Sequence, residues 1–228
     1  MSDFFKRNKA FILVLVGTFV LLLGGILLFT KDNSSVSTKT VSSSILVPQA
    51  SYQTSGFVNG TYLPASASAK VTFVEFGDYE CPACAIYNPY IKQLLSEFAG
   101  QITYVFRNYP LPQHKNAPIS SFAAESAGLQ GKYWEMHEKI FASQNDWANL
   151  SDPTDVFVGF AQELELDTAK FLTDLSSDEV KNKVKNDTND GNAVGLTETP
   201  TFYINGQKVS LTGSFDQLKS IIESEINK

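Results

Sequence analysis

Hydrophobic and polar positions change rhythm three times along this chain, and each change marks a different element. The first stretch has no polar positions to speak of. Between Lys9 and Lys31, "AFILVLVGTFVLLLGGILLFT" runs without a single charge. As a helix it would be about 30 Å long, the thickness of a bilayer's hydrocarbon core, and buried helices of globular domains rarely go so far uncharged. A cleavable leader carries a shorter apolar run with a small-x-small site behind it. Here "TKDNSS" follows, so residues 10–30 are expected to be an uncleaved transmembrane anchor. Lys6, Arg7 and Lys9 precede the run, against Lys31 beside Asp32 after it. That bias predicts a single-pass cell-membrane protein with residues 1–9 as a cytoplasmic tail and the rest of the chain extracytoplasmic, where disulfides persist.

Residues 31–69 then lose hydrophobic periodicity. "DNSSVSTKTVSSS" is rich in Ser and Thr and reads as a solvated linker, with an r.m.s. reach of about 35 Å if flexible throughout. Within it, "GFVNGTYLP" sets Asn-Gly between short apolar pieces, the mark of a small hairpin or an extra edge strand.

Regular patterning starts at Lys70 and defines a domain over residues 70–228. "KVTFVEF" is an apolar run with one acid, as in a strand covered on both faces. From Ala85 to Phe98, Ile91, Leu94, Leu95 and Phe98 recur at helical spacing. "QITYVFRNYP" is a second strand, closed by Pro110, so these elements predict a β-α-β unit with parallel strands. Helical patterning fills roughly Pro118 to Val194, with helix starts at Asp152-Pro153 and at Asp167. "TPTFYING" and "QKVSLTG" predict a hairpin on Asn205-Gly206. Ser214, with Gln217 three residues on, predicts the cap of a last helix to about Asn227. The fold class is therefore α/β: a β-α-β half, a helical insertion over 113–195, and a β-β-α half.

Composition narrows the function classes. Hydrophobic residues are 43% of the chain and aromatic ones 12%, enough for a true core. From Lys70 onward, 13 basic and 22 acidic residues leave a net charge of −9. A surface so acidic repels phosphate backbones, which excludes nucleic acid as a partner.

Both cysteines lie in "FGDYECPACAIYNPY", as Cys81 and Cys84. A structural staple there would close a four-residue loop, contributing about 2 kcal/mol at best to a turn the helix already holds. A metal site needs more ligands, and the only histidines, His114 and His137, lack a zinc-motif spacing. Redox exchange is the reading that uses the spacing, and it calls for no cofactor. Cys81 falls at the N-cap of the predicted helix and Pro82 at its first position, where a missing N–H costs nothing. A sulfur at the N-cap faces free backbone N–H groups and the positive end of the helix dipole, which favour the reactive thiolate. Cys84, one turn deeper, is placed to resolve a mixed disulfide. Asp78 and Glu80 oppose the Cys81 thiolate, and Ala83 gives it no help. The expected Cys81 pKa is thus below that of free cysteine but above the most depressed values known for such thiols.

Taken together, "VEFGDYECPAC", the "PLPQH" after the second strand and "TPTFYING" resemble the DsbA-like thioredoxin-fold thiol-disulfide oxidoreductases of the membrane-anchored, extracytoplasmic type. The resemblance covers about Lys70 to Lys228. It implies a thioredoxin fold with the helical insertion, catalysis by Cys81 and Cys84, and a proton relay through Glu75. A lone carboxylate in a strand covered on both faces has a raised pKa or is reached by water; an edge-facing, solvated Glu75 is the alternative. The resemblance also implies a cis Thr199-Pro200 bond opposite the cysteines. Thr199, Pro200 and Pro82 would then face a bound substrate segment; an ordinary trans turn is the alternative. Implied partners are exported cysteine-containing proteins as substrates and a membrane quinone-linked thiol oxidase, DsbB-like or VKOR-like, as reoxidant. The bilayer itself would be met through residues 10–30. The Pro-Ala dipeptide departs from strongly oxidising relatives that carry histidine second, so a disulfide reductase, or a binding module on the same fold, remains open. No dimerisation segment is apparent, so a monomer is expected. His114 reads as a loop histidine with a local hydrogen bond. Trp134, Trp147, Phe122 and Phe141 read as core of the insertion or an apolar rim over the site, and Lys181, Lys183 and Lys185 as a solvated helix face.

Overall fold

The computed structural model describes residues 40–48, 51–210 and 215–228. The predicted anchor at 10–30 lies outside the described residues, as do the tail before it and Ser214; among the described residues, no helix is long and apolar enough to cross a membrane.

The apolar run around Glu75 forms β4 (Val71–Gly77), in which only Thr72 is not buried. Burial on both faces follows from its central place in a five-stranded sheet of order β1-β5-β4-β6-β7. The strand β5 (Ile102–Asn108) runs parallel to β4, from Val71 opposite Ile102 to Gly77 opposite Asn108. On the other side β6 (Thr201–Ile204) is antiparallel, and β7 (Gln207–Val209) completes that edge. The β6–β7 turn uses Asn205 and Gly206, both with positive φ (48° and 81°), the hairpin geometry expected of Asn-Gly. The crossover between the parallel strands is α2 (Pro82–Glu97), which buries Cys84, Ile91, Leu94 and Leu95.

Between β5 and β6 the insertion comprises α3 (Ala117–Gly128), α4 (Tyr133–Ala142), α5 (Gln144–Trp147), α6 (Thr154–Glu163), α7 (Thr168–Leu175) and α8 (Asp178–Ala193). Asp167 caps α7 as expected, accepting from Lys170 N at 3.0 Å. At the other expected start, Asp152 accepts from the backbone N–H of Thr154 at 2.9 Å, the first residue of α6. A last helix, α9 (Phe215–Ile226), buries Leu218, Ile222 and Ile226. One core joins Phe73, Tyr104, Phe106 and Phe202 of the sheet to α2, α9 and the insertion, with Trp147 fully buried and Trp134 and Phe141 nearly so. The alternate positions Val74, Phe76, Val105 and Tyr203 form a smaller core with Tyr109, Leu196 and Leu46.

Leu46 marks a departure from the expected linker. The described part of residues 31–69 belongs to the domain. The short helix α1 (Ser43–Leu46) buries Leu46, and Arg107 donates to the carbonyls of Ile45 and Leu46. Val41 N donates to Gly206 O at 2.9 Å. Next, β1 (Gln53–Thr54) pairs with β5 as an edge strand, and β2 (Gly56–Val58) with β3 (Thr61–Leu63) forms the small hairpin. Tyr62 from that hairpin donates to Glu138 Oε1 at 2.5 Å and stacks on Trp134. Periodicity misses this segment because its anchoring groups are single residues, each filling a place in a core built by the rest of the chain. Lys70, at the start of β4, reaches the carbonyl of Ile226 at 3.0 Å.

Of the basic run on α8, Lys181 and Lys185 are exposed as expected, whereas Lys183 is partly buried. Lys183 bridges Asp187 (2.7 Å) and Glu125 (3.5 Å), and Asp187 is also held by Arg107 at 2.8 Å.

Candidate active site

The chain leaves β4 at Gly77 and turns through residues 78–81 into α2, with Cys81 as N-cap, Pro82 at the first helical position and Cys84 two residues further on. The cysteines are not bonded to each other, and Cys84 is fully buried. Their environments pull in opposite directions. The Cys81 thiol is lowered from 9.0 to about 5, chiefly because the Cys84 thiol donates to its sulfur; burial works against this, while Thr199 and the backbone N–H groups of Cys84 and Ala83 reinforce it. The Thr199 carbonyl, 3.4 Å from Cys81 Sγ, suits the protonated thiol as donor. The Thr199 hydroxyl, buried with no other partner, is the group on that loop that suits the thiolate. Burial pushes the Cys84 thiol well above its ordinary value, and the neighbouring Cys81 and Glu75 add to that. Its sulfur accepts from the backbone N–H of Asp78 at 3.5 Å.

Glu75 sits in the middle of the sheet, 2% exposed, so the solvated edge alternative does not hold. Tyr104 OH donates to its Oε2 at 2.6 Å, and its Oε1 has no partner. Burial raises the carboxyl to about 8; the Tyr104 hydrogen bond lowers it in part, and the Cys81 charge raises it. Thr199-Pro200 is cis and leads directly into β6, on the side of Cys81. It borders a cleft of about 300 Å³ that Tyr87, Glu198, Phe202 and Val209 also line. The structure thus brings Cys84 and Thr199 each against Cys81, with Pro200 next to Thr199 and Glu75 in the strand just before them. Pro82 is exposed at the head of the helix.

Two acids expected to oppose the thiolate are committed elsewhere. Asp78 Oδ2 accepts from Leu111 N (2.8 Å) and pairs with His114 Nδ1 (2.7 Å), while its Oδ1 accepts from Glu80 N (2.8 Å). Glu80 Oε2 accepts from Asn116 N at 2.5 Å. His114 is therefore a locally bonded loop residue that ties "PLPQH" to the redox turn. His137 lies in the aromatic core, with Nδ1 on Tyr79 OH at 2.9 Å, and burial drives it down to about 4. Among the described residues no group of three or more His, Cys, Asp or Glu is arranged to hold a metal ion.

Sequence reasoning missed Gln144. From α5 its Nε2 donates to the carbonyls of Tyr79 (2.7 Å) and Cys81 (3.0 Å), clamping the insertion to the redox turn. Nothing in a single glutamine at the end of a helix signals that. Gln144→Ala is expected to destabilise the protein by about 1–3 kcal/mol in urea denaturation, since the buried Tyr79 carbonyl loses its side-chain donor.

Residues 63–224 match the sequence profile of the family described as Thioredoxin, more than two thirds of the chain. The chain belongs to the thioredoxin family. This thioredoxin-family chain is 34% identical over 157 residues to the protein named Na(+)/H(+) antiporter NhaA 1 of Salinispora arenicola, covering 68% of this chain and 23% of that one. It is likewise 34% identical over 148 residues to the Na(+)/H(+) antiporter NhaA of Herminiimonas arsenicoxydans, covering 65% and 22%. The chain thus spans less than a quarter of the length of these curated relatives. Among solved structures it is similar to oxidised BdbD from Bacillus subtilis, with a TM-score of 0.62 and 24% identity over 78% of this chain and 98% of that one. It is also similar to the thiol-disulfide exchange protein alpha-DsbA2 from Wolbachia pipientis, with a TM-score of 0.64 and 19% identity over 79% and 90%. These likenesses establish the thioredoxin-like fold with its helical insertion.

Proposed function

We propose that this domain is a thiol-disulfide oxidoreductase that donates disulfides to exported proteins. The observation that carries the reading is the opposed acidity of the two sulfurs, a thiolate-prone Cys81 beside a buried, proton-retaining Cys84. A substrate thiolate attacks Cys81 Sγ of the oxidised pair, the Cys81–Cys84 bond breaks, and Cys84 departs as a thiolate that takes up a proton. The substrate's second thiolate then attacks its own sulfur in the mixed disulfide and expels Cys81 as a stable thiolate.

Magnitudes favour donation over reduction. A pKa near 5 instead of 8.5 gives about 30-fold more thiolate at pH 7, but weaker intrinsic nucleophilicity costs about 40-fold over the same interval. As an attacking group Cys81 gains nothing; as a leaving group it gains throughout, and leaving is the step that hands a disulfide on. Glu75 serves as the proton carrier of Cys84. A membrane quinone-linked thiol oxidase, DsbB-like or VKOR-like, is the reoxidant that fits the resemblance, with residues 10–30 as anchor and the domain extracytoplasmic.

The test is the potential of the Cys81–Cys84 couple together with alkylation of reduced protein across pH. A potential of about −120 to −180 mV is the expected outcome, and one near −270 mV would mark a reductase instead. Titration of Cys81 at the pH of free cysteine would reject exchange chemistry altogether. Glu75→Gln is expected to slow resolution of the mixed disulfide by about 10²-fold while changing stability at pH 7 by less than about 1 kcal/mol, since burial already keeps Glu75 mostly protonated there and a neutral amide replaces a neutral acid. Stopped-flow release of a Cys81-bound thiol reads the first quantity and urea denaturation the second.

A second reading is favoured by one finding, the relatives named as antiporters. On that reading the domain is a module that accompanies a membrane protein, its fold serving as a scaffold. It predicts that function survives loss of both cysteines.

A further inference from the structure

We infer that Tyr104 is a positioning residue for the proton transfer at Cys84: its hydroxyl pins Glu75 Oε2 and leaves Oε1 as the oxygen that exchanges the proton. This rests on the reading of Glu75 as proton carrier and adds how that carrier is held.

The geometry separates the two oxygens of one carboxyl. Tyr104 is buried in β5 and donates at 2.6 Å to Oε2, while Oε1 has no hydrogen-bond partner at all. Oε1 lies beside Gly77, since a Cβ there would come within 3.0 Å of it and collide with the Phe106 ring. The next backbone N–H, that of Asp78, is the one that donates to Cys84 Sγ at 3.5 Å. The free oxygen therefore lies next to the strand end that leads into the turn carrying the buried sulfur, and glycine at residue 77 lets that oxygen and the Phe106 ring pack against the backbone there. A carboxyl group that accepts from Tyr104 on Oε2 carries its own proton on Oε1. In the resolving step Oε1 takes the proton from Cys84 Sγ. The new thiolate attacks Cys81 Sγ, the bond between Cys81 and the substrate sulfur breaks, and the substrate leaves as a thiolate.

Tyr104 is held for this task by ring packing with Phe73 at 5.2 Å and Trp134 at 5.6 Å. The titratable groups that act on Glu75 or are acted on by it are Tyr104 from β5, Tyr79 from the redox turn, and Cys81 and Cys84 from α2 and its cap. Its β6 partner, Phe202, carries no charge. Of these, the Tyr104 hydroxyl is the one that favours the carboxylate, so it keeps Glu75 able to act as a base near neutral pH.

The experiment forms the mixed disulfide of Cys81 with glutathione in the full-length protein at low pH, then follows glutathione release after jumps to higher pH. In the unsubstituted protein the rate is expected to rise to an inflection below about pH 8, because Glu75 stands at about 8 beside the Cys81 thiolate and the mixed disulfide removes that charge. Tyr104→Phe keeps the ring and removes the donor, so the inflection should move up by about one to two pH units. Release at pH 7 should fall by about tenfold or more, with the high-pH plateau unchanged. Placing 3-fluorotyrosine at position 104, a stronger donor of the same shape, should move the inflection down. Glu75→Gln should remove it. If Glu75→Gln removes the inflection but neither change at Tyr104 moves it, the Tyr104 inference is overturned and the Glu75 reading stands. If the inflection survives Glu75→Gln, both fall. A lower melting temperature in Tyr104→Phe with an unmoved inflection makes Tyr104 merely structural and also overturns the inference.

Discussion

Mixed with glutathione disulfide, Cys84→Ala should stop at a covalent Cys81–glutathione adduct. The Cys81 thiolate attacks the disulfide, one glutathione leaves as a thiolate, and no Cys84 remains to resolve the adduct. The adduct shows as a mass increase on intact protein and is released by a reducing agent. Cys81→Ala should give neither adduct nor turnover. The asymmetry follows from placement: both sulfurs are in buried residues, but Cys81 keeps 6% exposure at the helix start and Cys84 none. Cys84 is wholly enclosed and holds its proton, so no substrate sulfur reaches it directly. Cys81 sits at the helix mouth on the cis-proline side and carries the negative charge. The same difference makes the reduced protein respond to pH. Because the folded Cys81 pKa lies below its unfolded value, ionisation stabilises the fold fully above about pH 9, and that stabilisation is lost as pH falls towards about 5. The oxidised protein has no such thiol. The gap in stability between reduced and oxidised forms should therefore shift in favour of the reduced form from pH 5 to pH 9, and Cys81→Ala, which exists in the reduced form alone, should lack this contribution to the pH dependence of its stability. Paired urea titrations at several pH values measure it.

The largest expected loss of stability comes from Asp187→Ala, at about 3–5 kcal/mol. Asp187 is 1% exposed and serves four donors: Arg107 Nε at 2.8 Å, Lys183 Nζ at 2.7 Å, and the backbone and side-chain nitrogens of Asn108, both at 3.1 Å. Removing it strands a fully buried guanidinium whose remaining acidic partner, Asp190, is partly solvated. One compensation is available. Asp187 raises the Glu125 carboxyl, which stands at about 7, so its removal lets Glu125 ionise and pair with Lys183. That places the loss in the lower part of the range. Replacing the ion pair and its satellites by an apolar set of equal volume should restore much of it, as leaving a charge alone costs more than having none. Urea denaturation at pH 7 reads both.

Much of this was legible from residue pattern, and the rest was not for definite reasons. β4, β5, the crossover helix and the β6–β7 hairpin each carry their own signal, a doubly covered strand, a helical repeat, an Asn-Gly turn, and all were placed. The Cys81-Pro82 cap was legible because the chemistry of a helix start is local. The burial of Glu75 was legible because a lone acid in an apolar strand has nowhere else to go. Residues 40–69 were misread as solvated linker beyond their hairpin, because Leu46 and Tyr62 find their partners in distant parts of the chain. Asp78 and Glu80 were expected to oppose the thiolate; which way a carboxylate turns depends on donors at Leu111, His114 and Asn116, some thirty positions away. Gln144, Tyr104 and the Arg107–Asp187 pair belong to the same class, since a polar group's partner across the fold leaves no mark on its neighbours in sequence.

The positions of Val41 and Ile226 bear on how such a domain is carried. Val41 meets the β6–β7 turn, whose Asn205 N–H bonds Thr72 O, and Ile226 is held by Lys70. Both contacts lie at the beginning of β4, whereas the reactive sulfur stands beyond its far end. The chain thus passes Val41 and Ile226 at the pole of the domain away from Cys81. A segment attached at those two points therefore starts from the end of β4 opposite the reactive sulfur.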